Sequence, residues 1–343
     1  MIFGSTLLVI GNGFDLQCGL ESKYEDFFRW LRQDKVRASA NLWAIHFLNS
    51  SLSGDGWIDV EDRLQKALND DRTGSSPIEQ WARSANSFYN GQGIYPKAKE
   101  ARYIVKYIEN TKTSFPFNFY WFLDELIEFE RQFSEYLRDK VLNNTKYLPN
   151  VAKLMDLITD NEKVNVINFN FTNPFMPNSA DEKWSGRIGT VTNVHGTYEN
   201  DNIIFGVDTT QRLPRNAHIF SKTHRKMLQS KPDRALSWRV EAVKFYGHSL
   251  EKADYSYFQS IFDSYNLYGD NNSKVRPVVL QFYFTVYDEN RRTERVRDAT
   301  DKVYKLITAY GDTLDNKDKG KNLLHKLLLE GRIQIRFLDN IKS

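Results

Sequence analysis

Apolar residues fall along this chain in two patterns. Short runs rich in β-branched residues end in glycine or polar clusters. Thr6–Ile10 precedes Gly11-Asn12-Gly13-Phe14-Asp15, Val164–Asn168 leads into Asn168-Phe169-Asn170-Phe171-Thr172, Gly189–Val194 precedes His195-Gly196, and Val243–Tyr246 precedes Gly247-His248-Ser249-Leu250. Runs of this length bounded by turn residues predict buried strands. Ile203–Phe205, Val278–Val286 and Ile333–Phe337 read the same way. Helical spacing marks the segment behind the first loop, where Ser22 and Glu25 form a capping-box pattern ahead of Tyr24, Phe27, Phe28, Trp30 and Leu31. It also marks Ile58–Leu68, Pro77–Tyr89, an aromatic-rich stretch Asn118–Leu142, Leu250–Tyr265 and Arg292–Tyr310. Leu323–Leu329 leads into the last strand, and Gly311–Lys321 reads as a charged connector.

Strand and helix alternate, which predicts an α/β fold with a Rossmann-like, doubly wound, mostly parallel sheet. The strand signal fades from about Ala38 to Lys163. The sheet domain is therefore expected from 1–37 and 160–343, with 38–159 a large helical insertion covering the cleft. In such a sheet, ligands gather at the carboxyl ends of the strands, and that is where the polar clusters fall. A nucleotide-type ligand is the expectation.

The chain has 343 residues, 47 Lys and Arg against 44 Asp and Glu, and a net charge of +3. That is too small an excess to argue for a nucleic-acid partner. The start lacks a basic leader and no apolar stretch approaches the roughly 18 residues of a membrane span, so a soluble cytoplasmic protein is expected. Cys18 is the only cysteine, which excludes an intrachain disulfide and a four-cysteine zinc ribbon. The six histidines include no pair at zinc-helix spacing and no carboxylate cluster resembles a calcium loop, so no metal site is predicted.

The clusters carry the candidate chemistry. Gly11 and Gly13 let the backbone turn tightly and bring N–H groups, with Asn12, toward an anionic ligand; the same pattern serves as plain turn structure, since the next glycine arrives only at Gly19. Asp15 would repel a pyrophosphate, so it either accepts ribose hydroxyls or caps a helical turn. Asn168, Asn170, Thr172 and Asn173 suit ribose hydroxyls and a carboxamide, or form an Asx-turn network that stops the strand. His195 offers a ring titrating near neutrality beside Gly196, or a structural histidine at a strand end. Gly247-His248-Ser249 begins like a nucleophile elbow, but Glu251 occupies the position of the second glycine. Ser249 reads instead as a helix N-cap beside N–H groups that face a phosphate. Asp254 follows as either a solvated charge or a group supporting the site. Phe220-Ser221-Lys222 with Arg225 and Lys226 forms a basic patch that meets phosphate or a solvated helix face.

Taken in order, Gly11-Asn12-Gly13-Phe14-Asp15-Leu16, Trp57 with Asp59 and Glu61, Asn168-Phe169-Asn170-Phe171-Thr172-Asn173, His195-Gly196, Ile203-Ile204-Phe205-Gly206, Phe220 with Lys222, and Gly247-His248-Ser249-Leu250 with Asp254 resemble the bacteriophage abortive-infection AbiH family. The likeness runs from residue 7 to about residue 290. More distantly, the chain resembles sirtuin-like NAD-binding domains, including those of antiphage NADases. Their glycine loop corresponds to Gly11–Asp15, their Asn-aromatic-Asp segment to Asn170, Phe171 and Thr172, their His-Gly to His195 and Gly196, and their Gly-x-Ser-Leu to Gly247–Leu250. That resemblance implies a pocket in which Asn170 orients the nicotinamide-side ribose or a water and His195 is the general acid or base. Thr172 stands where those domains carry an acid, and Asp15 where they carry a small polar residue. One cysteine cannot build the zinc module of the lysine deacylases, which disfavours that activity.

The resulting expectation is an antiphage effector that hydrolyses NAD, as substrate, at the nicotinamide–ribose bond when triggered by phage. Asn170 and His195 are its catalytic pair, and Gly11, Asn12, Gly13, Asp15, Asn168, Thr172, Gly247, His248, Ser249 and Asp254 line the nucleotide. Expected partners are NAD or a related nucleotide, a phage-encoded trigger and further copies of the chain. Two alternatives stand beside it: a defence protein that senses a nucleotide or a phage component without turnover, and a metal-dependent nuclease using Asp15, Asp59 and Glu61.

Overall fold

The computed structural model describes residues 5–39, 41–50, 60–69, 119–176, 186–208, 217–229, 235–236, 240–251, 254–269 and 277–341. The chain divides into two compact units. The first comprises Met1–Glu21, Lys140–Thr197 and Lys231–Ser343; the second comprises Ser22–Asp139 and Tyr198–Ser230.

The first unit is built on six strands, β1 (Ser5–Ile10), β2 (Val164–Asn168), β3 (Ile188–Asn193), β4 (Val240–Tyr246), β5 (Val279–Val286) and β6 (Ile333–Asp339). They form one sheet in the order β3-β2-β1-β4-β5-β6, and every neighbouring pair is parallel. This is the doubly wound order, with its reversal point between β1 and β4. Successive side chains of β1 go to opposite faces. Leu8 and Ile10 pack with Phe14, Cys18, Tyr147, Val151, Leu154, Met155 and Ile158, whereas Leu7 and Val9 pack with Phe258, Ile261, Phe262, Val303, Leu306, Ile307, Leu323 and Leu327. Both faces of the central strand are thus apolar, as a sheet covered by helices on each side requires.

The helices doing this, in a numbering that runs through both units, are α1 (Gly13–Gln17) and α7 (Tyr147–Thr159) on the first face, and α9 (Tyr255–Ser264), α10 (Arg292–Thr313) and α11 (Lys317–Leu329) on the second. Burying each large apolar side chain contributes about 1.5–3 kcal/mol. The packing of α7 on the sheet explains why the unit boundary falls at Lys140, not at residue 159 as the fading strand signal suggests.

The described part of the second unit is mostly helical: α2 (Tyr24–Gln33), α3 (Lys35–Ser39), α4 (Leu42–Ser50), α5 (Val60–Asn69), most of α6 (Phe119–Leu142) and α8 (Lys222–Leu228). Its core is a stack of aromatic rings, with Phe27, Phe28, Phe47, Phe129, Phe133 and Phe205 buried and in mutual ring contact. No helix among the described residues is long and apolar enough to cross a membrane.

Several expectations are corrected. Ile203–Phe205 is not a strand: it is irregular chain whose Phe205 N–H donates to Glu130 and whose Phe205 O accepts from Arg225, and its apolar side chains are buried in the second unit. The N-cap of α2 is Lys23, not Ser22, and no side chain caps it. Gly311–Lys321 is mostly the end of α10 and the start of α11, with Asn316 capping the latter. The helix expected over Pro77–Tyr89 lies outside the described residues.

Candidate active site

Each polar cluster does sit at the carboxyl end of a parallel strand: Gly11 after β1, Asn168–Thr172 after β2, His195 after β3 and Gly247–Leu250 after β4. The two glycine loops meet at the reversal point of the sheet. Gly11 N–H donates to Tyr246 O at 3.0 Å, Gly13 N–H to Gly247 O at 2.7 Å, and Phe14 N–H to Gly11 O at 2.8 Å. These N–H groups are therefore spent within the protein and not offered to an anion. The glycines are needed for close approach: a Cβ on Gly13 would lie 2.7 Å from Gly247 Cα, and one on Gly247, whose φ is +69°, would lie 2.3 Å from Phe14 N. Asn12 occupies the N-cap of α1 without a side-chain cap bond.

The second cluster divides into residues that hold the loop and one that does not. Asn168 is saturated. Its Nδ2 donates to Thr172 O at 2.6 Å and to Asn193 Oδ1 at 2.9 Å, while its Oδ1 accepts from Asn170 N–H at 3.0 Å. This is the Asx-turn alternative in operation. Asp15 is buried and accepts from Tyr147 Oη and Thr172 Oγ1, both at 2.7 Å. Burial and the Asp15 carboxylate hold the Tyr147 hydroxyl protonated well above the usual tyrosine range. Tyr147 was not singled out in the sequence, because a contact across 132 positions leaves no local signal.

Asn170 differs. Its side chain is 2% exposed, and neither its Nδ2 nor its Oδ1 has a hydrogen-bond partner among the described residues. A buried amide left so costs about 1–3 kcal/mol per group, which natural folds meet with an ordered water, a ligand or a functional role. Its chain neighbours Phe169 and Phe171 both place their rings against His195, with centroids 5.5 and 6.2 Å away.

His195 is buried, and its Nε2 lies 3.2 Å from Oδ1 of Asp254, the residue at the N-cap of α9. His248 Nε2 lies 3.3 Å from Oδ2 of the same carboxylate. Asp254, 13% exposed and beside two histidines, is thus not a solvated charge. Tyr257 closes one side, its ring 6.0 Å from that of His195 and 5.6 Å from that of Phe169. Phe171 and Tyr257 are both half-buried, so they present aromatic surface beside the histidine.

Ser249 is not a helix N-cap. Gly247 and Leu250 both adopt positive φ, which delays α9 to Tyr255, and the Ser249 hydroxyl accepts only locally from Glu251 N–H at 3.4 Å.

In the second unit the basic patch is neither solvated nor open. Lys222 Nζ pairs with Glu61 Oε2 at 2.6 Å, and Arg225 makes a bidentate pair with Glu130; Lys222, Arg225 and Glu130 are all buried. Of the carboxylates in the nuclease alternative, Asp15 is taken up by two hydroxyls, Glu61 by Lys222, and Asp59, like Trp57, lies outside the described residues. Among the described residues no group of three or more His, Cys, Asp or Glu is arranged to hold a metal ion.

An all-parallel sheet of this order, with helices on both faces, defines a Rossmann-like α/β fold. The chain belongs to the bacteriophage abortive infection AbiH family, whose model matches residues 7–271. Membership supports a role in abortive-infection defence against bacteriophage. Comparison with curated proteins and with solved structures returned no match.

Proposed function

We propose that this protein is an abortive-infection effector that hydrolyses NAD at the bond between nicotinamide and ribose, with Asn170 and His195 acting on the reacting atoms. The observation that carries this reading is the buried Asn170 amide, with both polar atoms unpartnered among the described residues, in a loop whose flanking rings touch His195.

The chemistry needs a base and not an acid. Nicotinamide leaves as a neutral molecule with the electron pair of the C–N bond, ribose C1′ gains oxocarbenium character, and water adds its oxygen there while losing a proton. Nicotinamide, ADP-ribose and a proton result. With Nε2 bonded to Asp254, neutral His195 keeps its lone pair on Nδ1 to take that proton. The Asn170 oxygen accepts from the attacking water or a ribose hydroxyl, and its Nδ2 donates to a ribose hydroxyl oxygen or to the nicotinamide carboxamide oxygen. Phe171 and Tyr257 suit a planar nicotinamide ring. NAD is a cytoplasmic metabolite, so this reading carries a cytoplasmic location. Effector toxicity calls for restraint until a phage-borne trigger arrives, with self-association the simplest form of that restraint.

Purified protein incubated with NAD is expected to release nicotinamide, and Asn170→Ala and His195→Ala to lose that release while keeping the wild-type far-ultraviolet spectrum. A folded variant that keeps the wild-type rate removes its residue from the site. One observation favours a second reading, a defence protein that senses a nucleotide or a phage component without turnover: Asp15 and Thr172, the two positions that depart from the NADase pattern, are bonded to each other. Calorimetric binding of NAD or ADP-ribose with no nicotinamide released selects that reading over the first.

A further inference from the structure

Asp254 stands between two histidines, Oδ1 at 3.2 Å from His195 Nε2 and Oδ2 at 3.3 Å from His248 Nε2. The two rings are not equivalent. Leu250 donates its backbone N–H to His248 Nδ1 at 3.0 Å. A ring nitrogen that accepts a hydrogen bond carries no proton, so neutral His248 holds its proton on Nε2, the nitrogen beside Asp254. The rings of Phe169 and Phe258, each 4.8 Å from that of His248, pack it in this orientation.

We propose that His248 and Asp254 are a positioning pair that fixes the tautomer of His195, with its proton on Nε2 and its lone pair on Nδ1. The inference rests on the reading in which His195 is the base, and supplies the reason that ring is the right way round. The Asp254 carboxylate accepts from His195 Nε2–H, while neutral His248, whose Nδ1 accepts from Leu250 N–H, keeps its proton on Nε2, which lies 3.3 Å from the other oxygen, in ion-pair range. An amide at the same place has one accepting and one donating atom. His248 is barred from becoming an acceptor at Nε2, because its Nδ1 is committed to Leu250 N–H. In Asp254→Asn the amide oxygen must therefore turn to His248 and the NH2 to His195. His195 then accepts at Nε2 and carries its proton on Nδ1, the nitrogen the reaction needs unprotonated.

The test is nitrogen NMR of the full chain labelled at histidine, at about pH 8 where ordinary histidines are neutral. His195→Gln and His248→Gln assign the two rings. Wild type is expected to show both rings protonated on Nε2. Asp254→Asn is expected to move the His195 proton to Nδ1 while His248 stays as it was, and removing His248 as well (D254N with H248A) to return His195 toward the Nε2–H form, because the amide is then free to turn. Wild-type His195 protonated on Nδ1, or a His195 unmoved by D254N, overturns the proposal; if D254N does not fold, the wild-type spectrum decides alone. Nicotinamide release is expected to fall about 10⁴-fold in D254N, the usual order for a wrong histidine tautomer. If the tautomers follow the proposal and wild type releases no nicotinamide, the positioning pair stands and only the hydrolytic reading falls.

Discussion

Thr172 donates its hydroxyl to Asp15 Oδ2 at 2.7 Å, a buried bond between residues 157 positions apart. The Asp15 carboxylate stands on α1, with Tyr147 as a second donor. The pair ties the loop after β1 to the loop after β2, which carries Asn170.

Tyr147→Phe removes one of the two donors and leaves a buried carboxylate short of a partner. A hydrogen bond to a charged group contributes about 1.5–3 kcal/mol, so this variant is expected to lose that much stability in denaturant unfolding. A loss within a few tenths of a kcal/mol removes Tyr147 from the Asp15 network.

Gly247→Ala is expected to be worse than its one added methyl suggests. The residue has φ +69° and its new Cβ would fall 2.3 Å from Phe14 N, so backbone strain adds to overpacking. Together these cost about 2–5 kcal/mol, read from the unfolding midpoint. A midpoint close to wild type means the two glycine loops are not held in contact.

Most of the fold was legible in the sequence, because each strand is a short β-branched run and both faces of the sheet are apolar. What escaped has a common cause in long-range partners. Ile203–Phe205 reads as a strand but is buried by aromatic rings of its own unit. The glycine loop reads as an anion cradle until Gly247 is seen to take its N–H groups. His195 and Asn170 stand out by strand-end position, and Asp254 only as a carboxylate at the start of the helix behind the Gly247 loop. That Asp254 is shared with His248 depends on the fold of the turn at Leu250, where a positive φ in a leucine has no sequence signal.

In the second unit, Arg225→Met strands Glu130, whose carboxyl burial already pushes above the usual range against the pull of Arg225. Breaking a buried pair from one side costs about 3–5 kcal/mol, whereas replacing both partners by apolar residues is expected to cost far less. Thermal unfolding of Arg225→Met and of the double variant Arg225→Met with Glu130→Leu distinguishes the two; equal losses contradict the pairing.

His46, packed against the rings of Trp43 and Phe47, has its pKa lowered from 6.5 to about 4, first by burial and then by Arg63. The unfolded chain takes up this proton as the pH falls through 6.5, and the folded chain not until about 4. Stability present above 6.5 is therefore lost between those values, at most about 3 kcal/mol from this residue. His46→Phe is expected to flatten the pH dependence of unfolding over that window; an unchanged slope contradicts the assignment.

The most direct measurement is the NAD level in cells challenged with phage, comparing wild type with Asn170→Ala and His195→Ala at equal protein abundance. A fall with wild type alone is the predicted result. Steady NAD during wild-type growth arrest, or depletion by either variant at the wild-type rate, contradicts an NAD-consuming site built on these two residues.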